Sequence, residues 1–165
     1  MRTDADKFTE QGLSNILWAA ATIGLDKQEI QPILAAVMDR MRTDADTFTE
    51  QGLSNIFWAA AKLGLDQQEI QPIVAAVICR MTKVAHKFKP QELSNVIWSA
   101  ARLSLNIGQI EPMVSAVTHR MTTAPEEFIP KELSNVVWAA AKLGLDKQEI
   151  RDKQEIQPTH CSLLW

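Results

Sequence analysis

A ten-residue segment recurs four times in this chain, at intervals of forty residues. It reads QGLSNILWAA, QGLSNIFWAA, QELSNVIWSA and KELSNVVWAA, and the units start in register at Met1, Met41, Met81 and Met121. Units one and two differ at 8 of 40 positions, which indicates a recent duplication or a built array. Because a two-helix unit of this length cannot bury its own apolar face, the period predicts that successive units stack on one another.

Each unit is expected to begin with a helix, here called helix A, over about residues 10–23 of unit one. Thr9 and Thr49 are suitable N-caps for units one and two. Units three and four have proline at the first helical position and glutamate in the capping-box slot, at Pro90, Glu92, Pro130 and Glu132. A glycine suited to the left-handed conformation ends the helix in three units, whereas unit three has a serine: Gly24, Gly64, Ser104 and Gly144.

The second half of each unit predicts another helix, here called helix B, over about residues 28–41 of unit one. An apolar stripe at helical spacing is formed by Ile30, Ile33, Leu34, Val37 and Met41. Either the preceding DKQEI segment is a separate turn and Pro32 begins the main helix, or the helix bends at Pro32; the first alternative is favoured. A basic residue in the last turn suits the helix dipole and is interpreted as structural: Arg40, Arg80 and Arg120.

No segment shows the alternation of a strand, so the predicted fold is all-α. The expected architecture is a right-handed-type α-solenoid of stacked antiparallel helix hairpins, with about 40 residues per repeat. The repeats are placed at 1–40, 41–80 and 81–120, with an incomplete fourth at 121–150. DKQEI at 146–150 recurs at 152–156, and six extra residues rotate a helix by about 240°. Helix B of unit four is therefore doubtful, and residues 151–165 are a divergent tail.

Composition narrows the classes of protein that fit. The net charge of −3 argues against a uniformly basic nucleic-acid-binding chain, although it allows local basic patches. The distant Cys79 and Cys161 favour a reduced compartment, with Cys79 as a small apolar filler. No apolar run approaches the roughly 18 residues of a membrane span, so membrane insertion is not expected. The start, MRTDADKF, resembles no targeting peptide, so any organellar address lies outside this chain or was removed.

A polar stripe lies opposite the main apolar seam of helix A. On a helical wheel centred on Leu13, the stripe holds Asn15 and Trp18, followed by Thr22 or a cation in the later units. Single-stranded nucleic acid uses an aromatic ring beside a cation, for base stacking and for phosphate contact. Asparagine offers a donor and an acceptor to a base edge. The candidate RNA-binding residues are Asn15, Asn55, Asn95, Asn135, Trp18, Trp58, Trp98, Trp138, Lys62, Arg102 and Lys142.

The same stripe has a structural interpretation. A helix in a stacked array contacts the units on both sides, so the tryptophans can pack against the next unit and the asparagines can bond a neighbouring backbone group. For the tryptophans, packing between units is favoured over base stacking; for the asparagines, neither interpretation is favoured. The cations are expected to face solvent, and whether they meet phosphate depends on which face of the array is concave.

The segments PQELSNVIWSAARLSL and PKELSNVVWAAAKLGL resemble the octotricopeptide repeat family. The resemblance extends over four units from residue 8 to residue 145, and each unit carries the Leu-x-Asn-x-x-Trp core. It implies an α-solenoid that binds single-stranded RNA in chloroplasts or mitochondria and acts in transcript maturation, stability or translation. Units one and two depart from the pattern, with Gly12 and Gly52 where the others have glutamate. Carried over, the asparagines and tryptophans of helix A are the positions that match the family.

Other classes of function are weighed against RNA binding. An enzyme is not expected, since no phosphate loop or paired-carboxylate motif stands out. No cofactor or metal is predicted, because Cys79 and His119 at one repeat position do not make a four-ligand site. The alternative is a protein-binding scaffold, or an accessory subunit of a large organellar assembly such as a ribosome or photosynthetic complex. The absence of polar capping repeats favours partner subunits that cover the ends, and only unit three is net basic.

Overall fold

The structure is a computed structural model that describes residues 7–145, and within this range it contains α-helices, short turns and no strand. This confirms the all-α prediction. Helix B of unit four and the tail at 151–165 lie outside the described residues. The helices are α1 (Glu10–Ile23), α2 (Gln31–Asp44), α3 (Glu50–Leu63), α4 (Gln67–Val84), α5 (Pro90–Arg102), α6 (Glu111–Thr123) and α7 (Pro130–Leu143). Single 3-10 turns at Ala45–Thr47, Ala85–Lys87 and Pro125–Glu127 precede α3, α5 and α7.

The helices form two rows. In the first, here called the A row, α1 packs on α3, α3 on α5 and α5 on α7, and these are the most extensive contacts in the molecule. The second, the B row, consists of α2, α4 and α6, which touch one another less. Each B helix packs against the A helix that precedes it. The core lies between the rows and is filled by fully buried side chains such as Leu17, Phe57, Ile70, Ile73 and Leu93.

Local capping starts the A helices as the sequence predicts. The Oγ1 atoms of Thr9 and Thr49 each accept a hydrogen bond of 3.1 Å, from the N–H groups of Gly12 and Gly52 respectively. In α5 the carboxylate of Glu92 accepts from the Lys89 N–H at 2.8 Å, and the equivalent bond in α7 measures 3.0 Å. Each bond satisfies a backbone donor that the helix itself leaves unpaired.

The A helices also end as expected, through a left-handed residue. Gly24, Gly64 and Gly144 have φ values of 80°, 66° and 70°. Ser104 adopts the same conformation, with φ 53°, although its Cβ makes that region unfavourable. The turn geometry after helix A is therefore kept in unit three at some cost in backbone energy.

The starts of the B helices agree with the favoured alternative in two units and contradict it in one. Helices α2 and α6 begin at Gln31 and Glu111, one residue before their prolines, after a separate turn. Helix α4 instead runs continuously through Pro72. The carboxylate of Asp66 accepts from the N–H groups of Gln68 and Glu69, both at 2.9 Å, and caps the first turn of α4. Asp26 likewise accepts from the Glu29 N–H at 2.9 Å, although α2 begins only at Gln31.

One sequence interpretation of the B row is wrong. Cys79, expected as a small apolar filler, is exposed on α4. Val77 and Met81 lie on the buried stripe of this helix, and Cys79 falls between them on the opposite side at 100° per residue.

The arginines near the ends of the B helices have specific partners. Arg80 donates from Nη2 to the carbonyl oxygens of Asp46 at 2.8 Å and of Phe48 at 2.6 Å. Arg120 donates to the equivalent carbonyls of His86 and Phe88 at 3.0 and 3.3 Å. These bonds fasten the end of helix B to the turn that leads into helix A of the same unit, which is a structural role beyond the helix dipole.

Candidate nucleic-acid interface

The predicted polar stripe lies on the outer side of the A row. In α1 the side chains of Asn15 and Thr22 are exposed, and in the later units the asparagines are half-buried and the cations exposed. On each helix the three positions follow one another at about 4.5 and 6 Å along the axis. The asparagines therefore lie in the N-terminal half of the A row, the tryptophans at its middle and the cations near its C-terminal end.

The four tryptophans form a continuous ladder across the A row. Ring centroids of consecutive tryptophans are 6.3, 6.3 and 6.2 Å apart, and their planes are inclined by 38°, 29° and 34°. Trp18 and Trp138 at the ends are 42% and 43% exposed, and the two inner rings are half-buried. A base sandwiched between parallel rings needs about 6.8 Å, twice the base-stacking rise of about 3.4 Å. The facing ring surfaces are thus occupied by the neighbouring indoles, and each tryptophan keeps part of its surface in solvent.

The cation positions differ between units. Lys62 Nζ lies 5.9 Å from the Trp58 ring centroid, within the range of a cation–π contact. Arg102 and Lys142 are exposed at the equivalent sites. In unit one the Thr22 hydroxyl donates to the Trp18 carbonyl oxygen at 2.8 Å, so the hydroxyl proton has its hydrogen-bond acceptor within its own helix.

A polar cavity of about 360 Å³ crosses the N-terminal halves of the first A helices. Asn15 and Asn55, from consecutive units, both line it. Lys87 and Lys89, in the turn that leads into α5, line it as well and are exposed. The cavity also includes polar side chains that the sequence reasoning did not select, Gln11, Gln51, Ser14 and Thr49.

The two lysines are functional candidates that the sequence reasoning missed. The available signal was the basic character of unit three, which carries five basic and two acidic residues. That excess was noted for the unit as a whole, but phosphate contact was assigned only to the cations near the helix ends. Lys87 and Lys89 line the same cavity as Asn15 of α1, although they are about two repeats away in the sequence.

Two carboxylates at the cavity have other partners. Glu50 accepts from Arg80 Nη1 at 3.5 Å. Glu92 caps α5, and burial raises the pKa of its carboxyl group, against the opposing effects of the Lys89 N–H and the Lys89 charge. Both carboxylates are thus engaged in holding the helices in place, whereas the two lysines that line the cavity are exposed.

Across residues 7–145 no three metal-ligating side chains come together. No helix in that part of the chain is long and apolar enough to cross a membrane. Comparison of the chain with protein-family models, with curated proteins and with solved structures gives no match.

Proposed function

We propose that the chain binds single-stranded RNA along the outer side of the A row. RNA binding at this surface is supported mainly by one cavity, which Asn15 and Asn55 line together with Lys87 and Lys89. An asparagine amide offers both a donor and an acceptor to a base edge. Lysine ammonium groups attract phosphates, which supply most of the affinity for nucleic acid. The side-chain amides come from successive units and share the cavity with cations. This arrangement suits an extended RNA strand that crosses the helices.

The tryptophan ladder has a different role in this proposal from the one suggested by the sequence alone. Bases do not enter between consecutive rings, because the rings contact one another. The partly exposed tryptophans form an apolar wall between the asparagines and the cations of the helix ends. Trp18 and Trp138, whose rings each have a single indole neighbour in the ladder, offer a ring surface to a stacked base.

The proposal includes the larger architecture and the cellular setting. The two rows continue as an α-solenoid of forty-residue repeats, with about one unit for each nucleotide. Through its resemblance to the octotricopeptide repeat family, the chain acts on organellar RNA, in a chloroplast or mitochondrion, without catalysing a reaction. Asn95 and Asn135 extend the row of amides, and Lys62, Arg102 and Lys142 contact phosphates on the far side of the ladder.

A salt series on single-stranded RNA tests the proposal. For single strands, log K falls with log salt concentration with a slope of about −0.7 per neutralised phosphate. Changing Lys87 and Lys89 to alanine should weaken binding and flatten the slope by about 1.4, and the triple change of Lys62, Arg102 and Lys142 by about 2.1.

A control variant with the same loss of charge separates a local effect from a general one. Lys27 pairs with Glu69, and Lys83 lies 3.6 Å from Asp46, so neither belongs to the cavity. Changing both to alanine should leave the slope nearly unchanged. Equal effects of this control and of the Lys87/Lys89 change would contradict a phosphate track at the cavity.

A scaffold function is the second candidate, and exposed apolar side chains favour it. Ile23 and Val137 are 73% and 65% exposed on the two outermost A helices. Contiguous apolar patches on a surface commonly mark a protein contact, and the exposed Trp18 and Trp138 lie on the same two helices. A chain that binds no RNA at low salt, yet captures a protein through these helices, would support the scaffold over the RNA reader.

A further inference from the structure

The last A helix exposes a face that the preceding A helices bury. Val137 of α7 is 65% exposed, whereas its equivalents Leu17, Phe57 and Ile97 are 0%, 0% and 2% exposed. Ser134 and Ala141 are exposed too, although their equivalents in the other three units are buried. These three residues, Ser134, Val137 and Ala141, are here called the end face.

The first A helix exposes the opposite face. Ala19 of α1 is exposed, whereas its equivalents Ala59, Ser99 and Ala139 are fully buried. Ile23 is exposed, and Ile16 is half-buried although its equivalent in α3 is fully buried. Ile16, Ala19 and Ile23, together with Gly12, are here called the start face.

Inside the molecule, the equivalents of these two faces pack on each other. A Cβ atom at Gly52, on the start side of α3, would lie 3.5 Å from Ser14 Oγ, on the end side of α1. The same pair of positions meets between α5 and α7, where the Ser94 hydroxyl donates to the Glu132 carbonyl oxygen at 3.3 Å. A serine of one helix thus lies over the glycine-or-glutamate position of the next helix in both interfaces.

The start face of α1 is nearly a copy of the one that α1 itself contacts on α3. Residues 9–16 and 49–56 have the same sequence, TEQGLSNI, and the alanine follows at the same place in both. A helix with the end-face pattern therefore finds on α1 the same groups that receive it on α3. Helix α7 keeps that pattern, with serine, an apolar β-branched residue and alanine at the three positions.

We propose that the chain associates head to tail with a second copy of itself, with the end face of α7 on the start face of α1 in the next molecule. The occupant is inferred from continuity with the internal interfaces, since the A row would continue across the junction with the same side chains. Such a contact is heterologous, so it leaves one free face at each end and can add further copies. This assembly is independent of the proposed RNA binding.

The two faces provide variants that should fold normally. Ala19→Arg and Val137→Arg each place a charge at an exposed position and so disturb only the intermolecular contact. Ala75→Arg, at an exposed position of α4, is the matched control. Far-UV circular dichroism and thermal unfolding verify that each variant folds.

Size-exclusion chromatography with light scattering then measures mass over a concentration series. The wild type and Ala75→Arg should rise from the monomer mass of 18.5 kDa to multiples of it. Ala19→Arg alone and Val137→Arg alone should stay monomeric. Their equimolar mixture should form a dimer and no larger species, because each variant retains the face that the other lacks.

Several results would overturn the proposal. A wild type that stays monomeric throughout the series has no such interface. A dimer of Ala19→Arg alone would indicate a symmetric contact between two end faces. A monomeric wild type together with a destabilised Val137→Arg would mean that residues 146–165 cover the end face. A mixture that stays monomeric would rule out the head-to-tail arrangement.

Discussion

The tryptophan ladder makes a quantitative prediction about stability. Trp58 has a ring neighbour on each side, with centroid distances of 6.3 Å, whereas Trp18 has one ring neighbour in the ladder. An aromatic pair contributes about 0.5–1.5 kcal/mol beyond the burial of its area. Leucine in place of tryptophan keeps much of the apolar contact and removes the ring. Trp58→Leu should therefore lose about 1–3 kcal/mol of pair energy, roughly twice the loss of Trp18→Leu.

A double-mutant cycle isolates this energy from the other effects of substitution. Urea unfolding, followed by far-UV circular dichroism, gives the free energy of unfolding for the single and double leucine variants. The adjacent pair Trp58 and Trp98 should show a coupling of about 0.5–1.5 kcal/mol. Trp18 and Trp98 are separated by the ring of Trp58, and their coupling energy should be less than about 0.5 kcal/mol. Equal coupling in the two pairs would refute the ladder as a set of direct ring contacts.

Three further changes test single features of the fold. Ser104→Gly should raise the free energy of unfolding by about 0.5–1 kcal/mol, because glycine relieves the left-handed backbone; a lower melting temperature would contradict this. Arg80→Lys should lower the free energy of unfolding by about 2 kcal/mol, since one ammonium group does not reproduce the two guanidinium bonds to backbone carbonyls. An unchanged free energy of unfolding in chemical denaturation would count against this role of Arg80. Burial raises the pKa of the Glu92 carboxyl group in the folded state, so the folded chain holds this proton more tightly and loses stability as pH rises from about 4.5 through the raised pKa. Glu92→Gln should remove that loss, and denaturation curves with the same pH dependence as the wild type would argue against it.

Local features of the fold were predictable from the sequence because they depend on neighbouring residues. The limits of α1, the threonine caps at Thr9 and Thr49 and the left-handed glycine at Gly24 each follow from a few adjacent positions. The unbroken α4 was not predictable in the same way. Unit one has the same aspartate–glutamate capping bonds at Asp26 and Glu29 and the same proline, yet α2 begins only at Gln31. These local signals therefore do not decide where helix B starts.

The parts of the candidate site that were missed depend on distances between units. A helical wheel places Trp58 on a polar stripe, but whether its ring meets a base or another indole depends on the separation of the A helices. The exposure of Cys79, by contrast, follows from the apolar stripe of helix B, which places its position opposite Val77 and Met81. Lys87 and Lys89, in the turn before α5, line one cavity with Asn15, and no local pattern relates residues so far apart.

Photocrosslinking tests the central claim most directly, since it shows where RNA lies on the protein. A short single-stranded oligonucleotide with thiouridine at each position would be irradiated with the folded chain, and the crosslinked peptides mapped by mass spectrometry. We expect crosslinks in the N-terminal halves of α1 and α3 and in the turn before α5, with loss of the signal when Asn55 and Lys89 are changed to alanine. Crosslinks confined to the B row, or a pattern unchanged in that variant, would contradict RNA binding along the A row.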